Sequence, residues 1–152
     1  MKAEKRAELF PVVLRAAERV SVVVRSARGI DDRGLHVTNI EALSVALERL
    51  RPAAEATCLV DGFALRECAV PHRAVVEGDG TSAAIAAASV IAKVTRDRYM
   101  HGAATTYPGW GFEEHVGYST PEHREAIERI GISPLHRRSF QSVAYSQLEF
   151  AG

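Results

Sequence analysis

The chain has 152 residues, 47% of them hydrophobic and 25% charged, an ordinary globular composition and a length that supports one domain with a sizeable core. Nineteen Lys and Arg balance nineteen Asp and Glu, which excludes a global field that would draw in a polyanion; any phosphate-binding surface must be a local patch. Cys58 and Cys68 fit neither a disulfide framework nor a Cys-x-x-Cys metal site, so buried thiols in a reducing cytoplasm are expected.

The first ten residues, MKAEKRAELF, are charged and lack an apolar run suited to a signal peptide or membrane span, consistent with a cytoplasmic chain that has no membrane partner. Lys2 to Arg19 predicts an amphipathic helix with Leu9, Val12, Val13 and Ala16 toward a core and Pro11 as a point of kinking. The β-branched run Val20 to Val24 predicts a buried strand, ended by Arg25 to Gly34 with turn chemistry at Gly29-Ile30-Asp31-Asp32. Thr38 is expected to cap a helix from Ile40 to Leu50, with Glu41 completing a capping box and Pro52 stopping the helix. Thr57 to Val60 then predicts a short strand delivering Asp61-Gly62. Ala74 to Glu77 predicts another, delivering Asp79 after Gly78.

Strands alternating with helices point to an α/β domain, in which sites gather at strand ends. Asp61 and Asp79 are both so placed, 18 residues apart, enough for a loop and a returning strand to bring the carboxylates together. Paired carboxylates suit a hard divalent cation such as Mg²⁺ or Mn²⁺, which takes oxygen ligands. Each Asp-Gly taken singly is more often a turn than a ligand.

From Thr81 or Ser82 as cap, an alanine-rich helix follows, with Ser82, Ile85, Ala86, Ser89, Lys93 and Arg96 along one side. It reads either as a buried helix whose alanines allow close packing, with Lys93, Arg96 and Asp97 solvated, or as one wall of a site. Thr105 to Tyr118 gathers Trp, Tyr and Phe in a Gly-rich loop, able to stack on a sugar or base or to plug the core. Pro121 to Ile130 predicts a short helix ended by Gly131. The densest basic patch, Ser133-Pro134-Leu135-His136-Arg137-Arg138-Ser139-Phe140, suits phosphate contacts or a solvated loop.

Together these residues resemble ribonuclease HII. The resemblance is carried by Gly29-Ile30-Asp31-Asp32, Leu59-Val60-Asp61-Gly62, Glu77-Gly78-Asp79, the run from Ile85 to Asp97, Tyr107-Pro108, His115-Val116-Gly117-Tyr118-Ser119-Thr120, His123 and His136-Arg137-Arg138-Ser139-Phe140, in the family's order over nearly the whole chain. It implies an α/β, RNase H-like fold with a helical C-terminal part, a single domain over residues 1–152, and hydrolysis of RNA in RNA–DNA hybrids and at ribonucleotides embedded in duplex DNA, a DNA-repair activity. In the family pattern four carboxylates hold divalent metals, Mg²⁺ or Mn²⁺. Asp61 and Asp79 match the third and fourth and are the implied catalytic and metal-binding residues. Tyr118 matches the tyrosine that senses the ribose at an RNA–DNA junction, and Lys93, His136, Arg137 and Arg138 are the implied phosphate holders. Asp97 is assigned to structure, and the full-length protein is expected to be a monomer.

The chain lacks the Asp-Glu strand and Gly-Arg-Gly segment with which the family opens. Met1 therefore stands at an internal position of the pattern, and the fold is expected to be N-terminally truncated, with sheet edges exposed beside Val20 to Val24 and Thr57 to Val60. Val116 stands where relatives often carry lysine. Three readings follow: an enzyme whose product is longer, a truncated homologue that binds hybrid without cutting it, and a fragment completed in trans by a polypeptide carrying the Asp-Glu strand. With two of the carboxylates alone, the 152-residue chain is expected to be impaired as a nuclease.

Overall fold

The computed structural model describes residues 1–140; the remainder of the single domain expected over residues 1–152 lies outside them. The chain forms two compact units, Met1–Arg25 with Leu35–Val94, and Ser26–Gly34 with Thr95 onward.

In the first unit, α1 (Ala3–Ala16) continues through Pro11. None of its residues is buried, and Val12, expected toward a core, is exposed, as is Ala16. The run Val20 to Val24 is a correction to the sequence reading: it forms no strand, and Val20, Val22 and Val24 are exposed. β-branched residues favour extended backbone, but a strand exists only where a neighbour completes its ladder, and none does so among the described residues.

The second unit opens with another correction. Ala27–Arg33, expected as a turn, is helix α2, because the Ser26 hydroxyl accepts the Gly29 N–H at 3.1 Å and caps the first turn. Gly34, at φ +84°, ends it in a conformation closed to most side chains. In the first unit α3 then starts at Leu35 and runs to Leu50. Thr38, read as a cap, lies inside this helix and is buried, so the expected capping box with Glu41 does not form. Arg51 in the left-handed region and Pro52 after it terminate the helix.

Two three-residue strands follow, β1 (Leu59–Asp61) and β2 (Arg73–Val75), paired in parallel with Leu59 beside Arg73, Val60 beside Ala74 and Asp61 beside Val75. The predicted strands thus exist, displaced by one or two residues. The ladder is extended when the Gly62 N–H donates to the Val75 carbonyl and the Arg73 N–H to the Cys58 carbonyl, each at 2.9 Å. Their connection is anchored by buried Leu65, whose N–H donates to His72 Nε2 at 2.9 Å. One turn, α4 (Gly78–Thr81), precedes α5 (Ala83–Thr106), 24 residues and about 36 Å long. Ser82 caps α5 through its hydroxyl, which accepts the Ile85 N–H at 3.4 Å. Over residues 83–94 the buried side of the helix is made by branched residues, Ile85, Val90, Ile91 and Val94, while Ala83, Ala84, Ala88 and Ala92 are exposed; nearer its end Met100 and Ala103 are buried.

In the second unit α6 (Phe112–His115) and α7 (Pro121–Ile130) complete the helical part. Thr120 caps α7 by accepting the His123 N–H at 3.2 Å, Pro121 fits its first turn, and Gly131 ends it, as the sequence predicts. Met100, Ala103, Phe112, Ala126 and Ile127 are buried here. The architecture is mixed α/β, compatible with an RNase H-like fold with a helical C-terminal part. No helix of the described residues is long and apolar enough to cross a membrane.

Candidate functional site

In the first unit the site is built at the C-terminal ends of the parallel strands. Asp61 is the last residue of β1, and its Oδ1 accepts the Gly78 N–H at 2.8 Å. That bond ties the end of β1 to the residue immediately before Asp79. Gly78 has no room for a side chain: a Cβ there would lie 2.5 Å from Ile85 Cδ1 and 3.1 Å from Asp61 Oδ1. The glycine is what allows the Asp79 turn to approach the Asp61 carboxylate. Glu77 adopts φ +52° to enter the turn, a strained conformation for a residue with a side chain.

Asp79 lies in the first turn of α4 with its carboxylate half exposed, and Lys93 Nζ of α5 stands 3.7 Å from its Oδ2. Lys93, expected at phosphate, is thus paired with a carboxylate; a pair this exposed stabilises little and its lysine is free to exchange partners. Two carboxylates match the oxygen preference of one hard divalent cation, whose remaining positions water and substrate oxygens fill. They do not make a four-carboxylate, two-metal set. Among the described residues no group of three or more His, Cys, Asp or Glu side chains is arranged to hold a metal.

The second unit holds the other candidates. Tyr118 is 54% exposed, and the Arg96 guanidinium lies 4.9 Å over its ring. This cation–π contact presents the phenol at the surface while holding its plane. The backbone before it turns sharply: Val116 is strained at φ +44°, and Gly117 takes φ +79° at no steric cost.

Beneath Tyr118 lies a feature that sequence reading missed. His115, His123 and His136 are all buried, the first two stacked at 4.2 Å between ring centroids. Their partners define one arrangement of protons. The Ser133 N–H donates to His136 Nδ1 at 2.9 Å, so His136 carries its proton on Nε2 and donates to His123 Nε2 at 3.0 Å. His123 Nδ1–H in turn donates to the Tyr118 carbonyl at 2.9 Å. His115 accepts the Gly117 N–H at Nδ1 and donates from Nε2 to the Trp110 carbonyl. Every ring is neutral in this chain of bonds. Burial, then the neighbouring His123, pushes His136 down to about 4, and burial likewise lowers His123.

His136 therefore does not stand at the surface as a phosphate holder: it is buried and both ring nitrogens face protein partners. Arg138 is exposed and Arg137 half-buried, with the Arg137 guanidinium 5.2 Å over the Phe140 ring. The aromatic loop divides: Phe112 and Trp110 pack inward, while Tyr118 stands at the surface. Phe112 is 1% exposed and Trp110 is anchored by donating its indole N–H to the Gly131 carbonyl at 2.9 Å. Asp97 is largely enclosed beside Arg96, at 3.6 Å, in keeping with a structural role. The sequence signal for the histidine cluster was present in the repeated histidines of its helical and basic segments, but spacing alone gave no hint of their convergence.

Comparison with known proteins gives the family to which the chain is similar. A family model described as ribonuclease HII matches residues 1–143. The chain is 46% identical over 140 residues to ribonuclease HII of Geobacillus kaustophilus, covering 92% of this chain and 53% of that protein. It is 46% identical over 138 residues to the Nocardia farcinica ribonuclease HII, covering 91% and 55%, and 47% identical over 140 residues to that of Mycobacterium avium, covering 91% and 60%. The chain spans about half the length of the curated relatives it matches. The order of its motifs, the Asp61 and Asp79 turns at the ends of a parallel strand pair, and a family match over most of its length agree: this chain belongs to the ribonuclease HII family.

Proposed function

We infer that the chain is the metal- and junction-binding part of a ribonuclease HII-type endoribonuclease, a cytoplasmic hydrolase acting on RNA–DNA hybrids and on ribonucleotides embedded in duplex DNA. The observation that carries this is the Asp61 carboxylate locked to the Gly78 N–H, immediately before Asp79, in a chain of that family. Asp61 and Asp79 would hold a Mg²⁺ or Mn²⁺ ion, which when bound supplies charge stabilisation at the phosphodiester. Lys93, 3.7 Å from Asp79 Oδ2, would be available to pair with the substrate backbone were that carboxylate to hold a cation. Tyr118 meets the ribose 2′-OH, and Arg137 and Arg138 hold phosphate.

A second reading is favoured by the ligand count. Two carboxylates are half of the implied set, so the 152-residue chain by itself binds hybrid with greatly reduced or no cutting. The test is cleavage and binding of a DNA duplex carrying one ribonucleotide, with Mg²⁺ or Mn²⁺, by this chain and its Asp79→Asn variant. Binding without cleavage supports the second reading; cleavage lost in the variant means that the site assembles without the Asp-Glu segment. Neither binding nor cleavage removes both. In a version that includes that segment, Asp61→Asn and Asp79→Asn are each expected to abolish turnover, and wild-type rates would remove that residue from the site.

A further inference from the structure

Asp31 and the basic loop are more than a hundred residues apart in sequence, yet one carboxylate closes on the loop with three hydrogen bonds. Asp31 Oδ2 accepts the Arg138 N–H at 2.8 Å, and Oδ1 accepts both the Ser139 N–H at 2.9 Å and the Ser139 hydroxyl at 2.6 Å. Asp31 is itself held on the short helix α2, whose first turn is capped by Ser26 and whose end is set by Gly34. On the other side of the same loop, Ser133 Oγ lies 2.8 Å from His136 Nδ1 and accepts the Leu135 N–H at 3.3 Å, so the segment is pinned at both ends. Between the pins stands Arg137, with Arg138 and Ser139 gripped through their backbone.

We propose that Asp31 is a positioning residue for nucleic-acid binding, clasping the Arg138-Ser139 backbone so that the Arg137 and Arg138 side chains are presented to phosphate from an already ordered loop. The proposal rests on the nucleic-acid reading given above. Its physical content is entropy: a loop ordered beforehand loses little freedom when phosphate arrives, whereas a loose one must be ordered at the moment of binding. The ionised carboxylate is suited to this because it only accepts, and all three loop groups only donate to it. In keeping with that, the Ser139 hydroxyl and the two backbone N–H groups hold the Asp31 carboxyl below its ordinary range.

The geometry also separates this role from simple charge. Asp31 adds a negative charge beside two arginines, so by Coulomb attraction alone its neutralisation would tighten binding to a polyanion. Loss of the clasp would weaken it. An Asn at this position keeps one acceptor but turns an amide N–H₂ toward either the Arg138 N–H or the Ser139 donors, so the three bonds cannot all survive. Asp32, the next residue, provides the control: it carries the same charge, and its ion pair is with Arg28 of its own helix, at 3.9 Å.

The experiment uses the 152-residue chain and its Asp31→Asn, Asp32→Asn and Ser139→Ala variants. Affinity for a fluorescein-labelled RNA–DNA hybrid is read by anisotropy, and loop order is read without nucleic acid as the rate of tryptic cleavage after Arg137 and Arg138. Asp31→Asn is expected to weaken binding roughly fivefold or more, the order of effect for re-ordering one or two residues, and to speed cleavage about tenfold. Asp32→Asn should bind as tightly as wild type or slightly better. Ser139→Ala, which leaves both backbone bonds, should fall between. An Asp31→Asn cleavage rate equal to wild type overturns the clasp, and tighter or unchanged binding with faster cleavage overturns its role in recognition. Failure of the wild-type chain to bind any hybrid overturns the nucleic-acid reading and the positioning role with it, and the cleavage rates distinguish that failure from failure of the clasp alone.

Discussion

Acidification from pH 7 to about pH 5 is expected to loosen the packing around Trp110, because the histidine cluster tolerates only one arrangement of protons. A cationic His136 would turn an Nδ1–H toward the Ser133 N–H, setting donor against donor in a buried site. Its value falls from an ordinary 6.5 to about 4 in the folded chain, chiefly through burial. Since the folded value is the lower one, the unfolded chain takes up the proton first. The stabilising contribution is complete above about pH 6.5 and disappears as pH falls toward about 4. At about pH 5 the unfolded histidine is nearly all protonated and the folded one nearly all neutral, a difference worth about 2 kcal/mol. His123 is lowered by burial in the same direction and adds to the effect. Asp31, held below its ordinary value, changes its contribution only below about pH 4 and does not confuse the comparison. The assay is urea unfolding followed by the fluorescence of Trp110, the chain's single tryptophan, whose ring lies 6.3 Å from that of His136. The midpoint should fall at the lower pH, and His136→Gln, which cannot titrate, should lose most of that dependence. Equal midpoints at the two pH values in the wild-type chain would refute the reasoning, as would an undiminished shift in the variant.

Two further substitutions probe the backbone. Gly78→Ala places a methyl group against Ile85, which is buried, and against the Asp61 carboxylate, so a loss of about 1–3 kcal/mol is expected; an unchanged thermal midpoint would show that the turn relaxes freely. Val116→Asn replaces a β-branched residue at φ +44° with one that tolerates the left-handed region, and a gain of about 1 kcal/mol in urea unfolding is expected. A loss instead would mean that the half-buried valine side chain contributes more through packing than its backbone costs.

Local signals in the chain were sufficient for much of this structure. The Pro121 to Ile130 helix, its Thr120 cap and Gly131 stop depend on neighbours in sequence, and so does the delivery of Asp61 and Asp79 by strands into Asp-Gly turns. Family membership was legible because it rests on the order of many short motifs. What failed locally failed for tertiary reasons. Val20 to Val24 has strand propensity but no ladder partner among the described residues, and Thr38 has the chemistry of a cap but falls inside a helix that Gly34 allows to begin at Leu35.

Residue type alone likewise placed His136 beside Arg137 and Arg138 as a phosphate group. Only the folded chain shows it turned inward, into hydrogen bonds with Ser133 and His123, while Arg138 remains outside. Asp31 carries the same lesson: in sequence it belongs to a turn-like run of Gly29 to Asp32, and in the structure it grips a loop more than a hundred positions later. Short-range pattern determines elements whose caps and stops are sequence neighbours, as at Thr120 and Gly131, and the order of many short motifs determines the family. The partners of a buried ring or a lone carboxylate depend on which distant backbone groups remain unsatisfied once the elements have packed, and that is decided only in three dimensions.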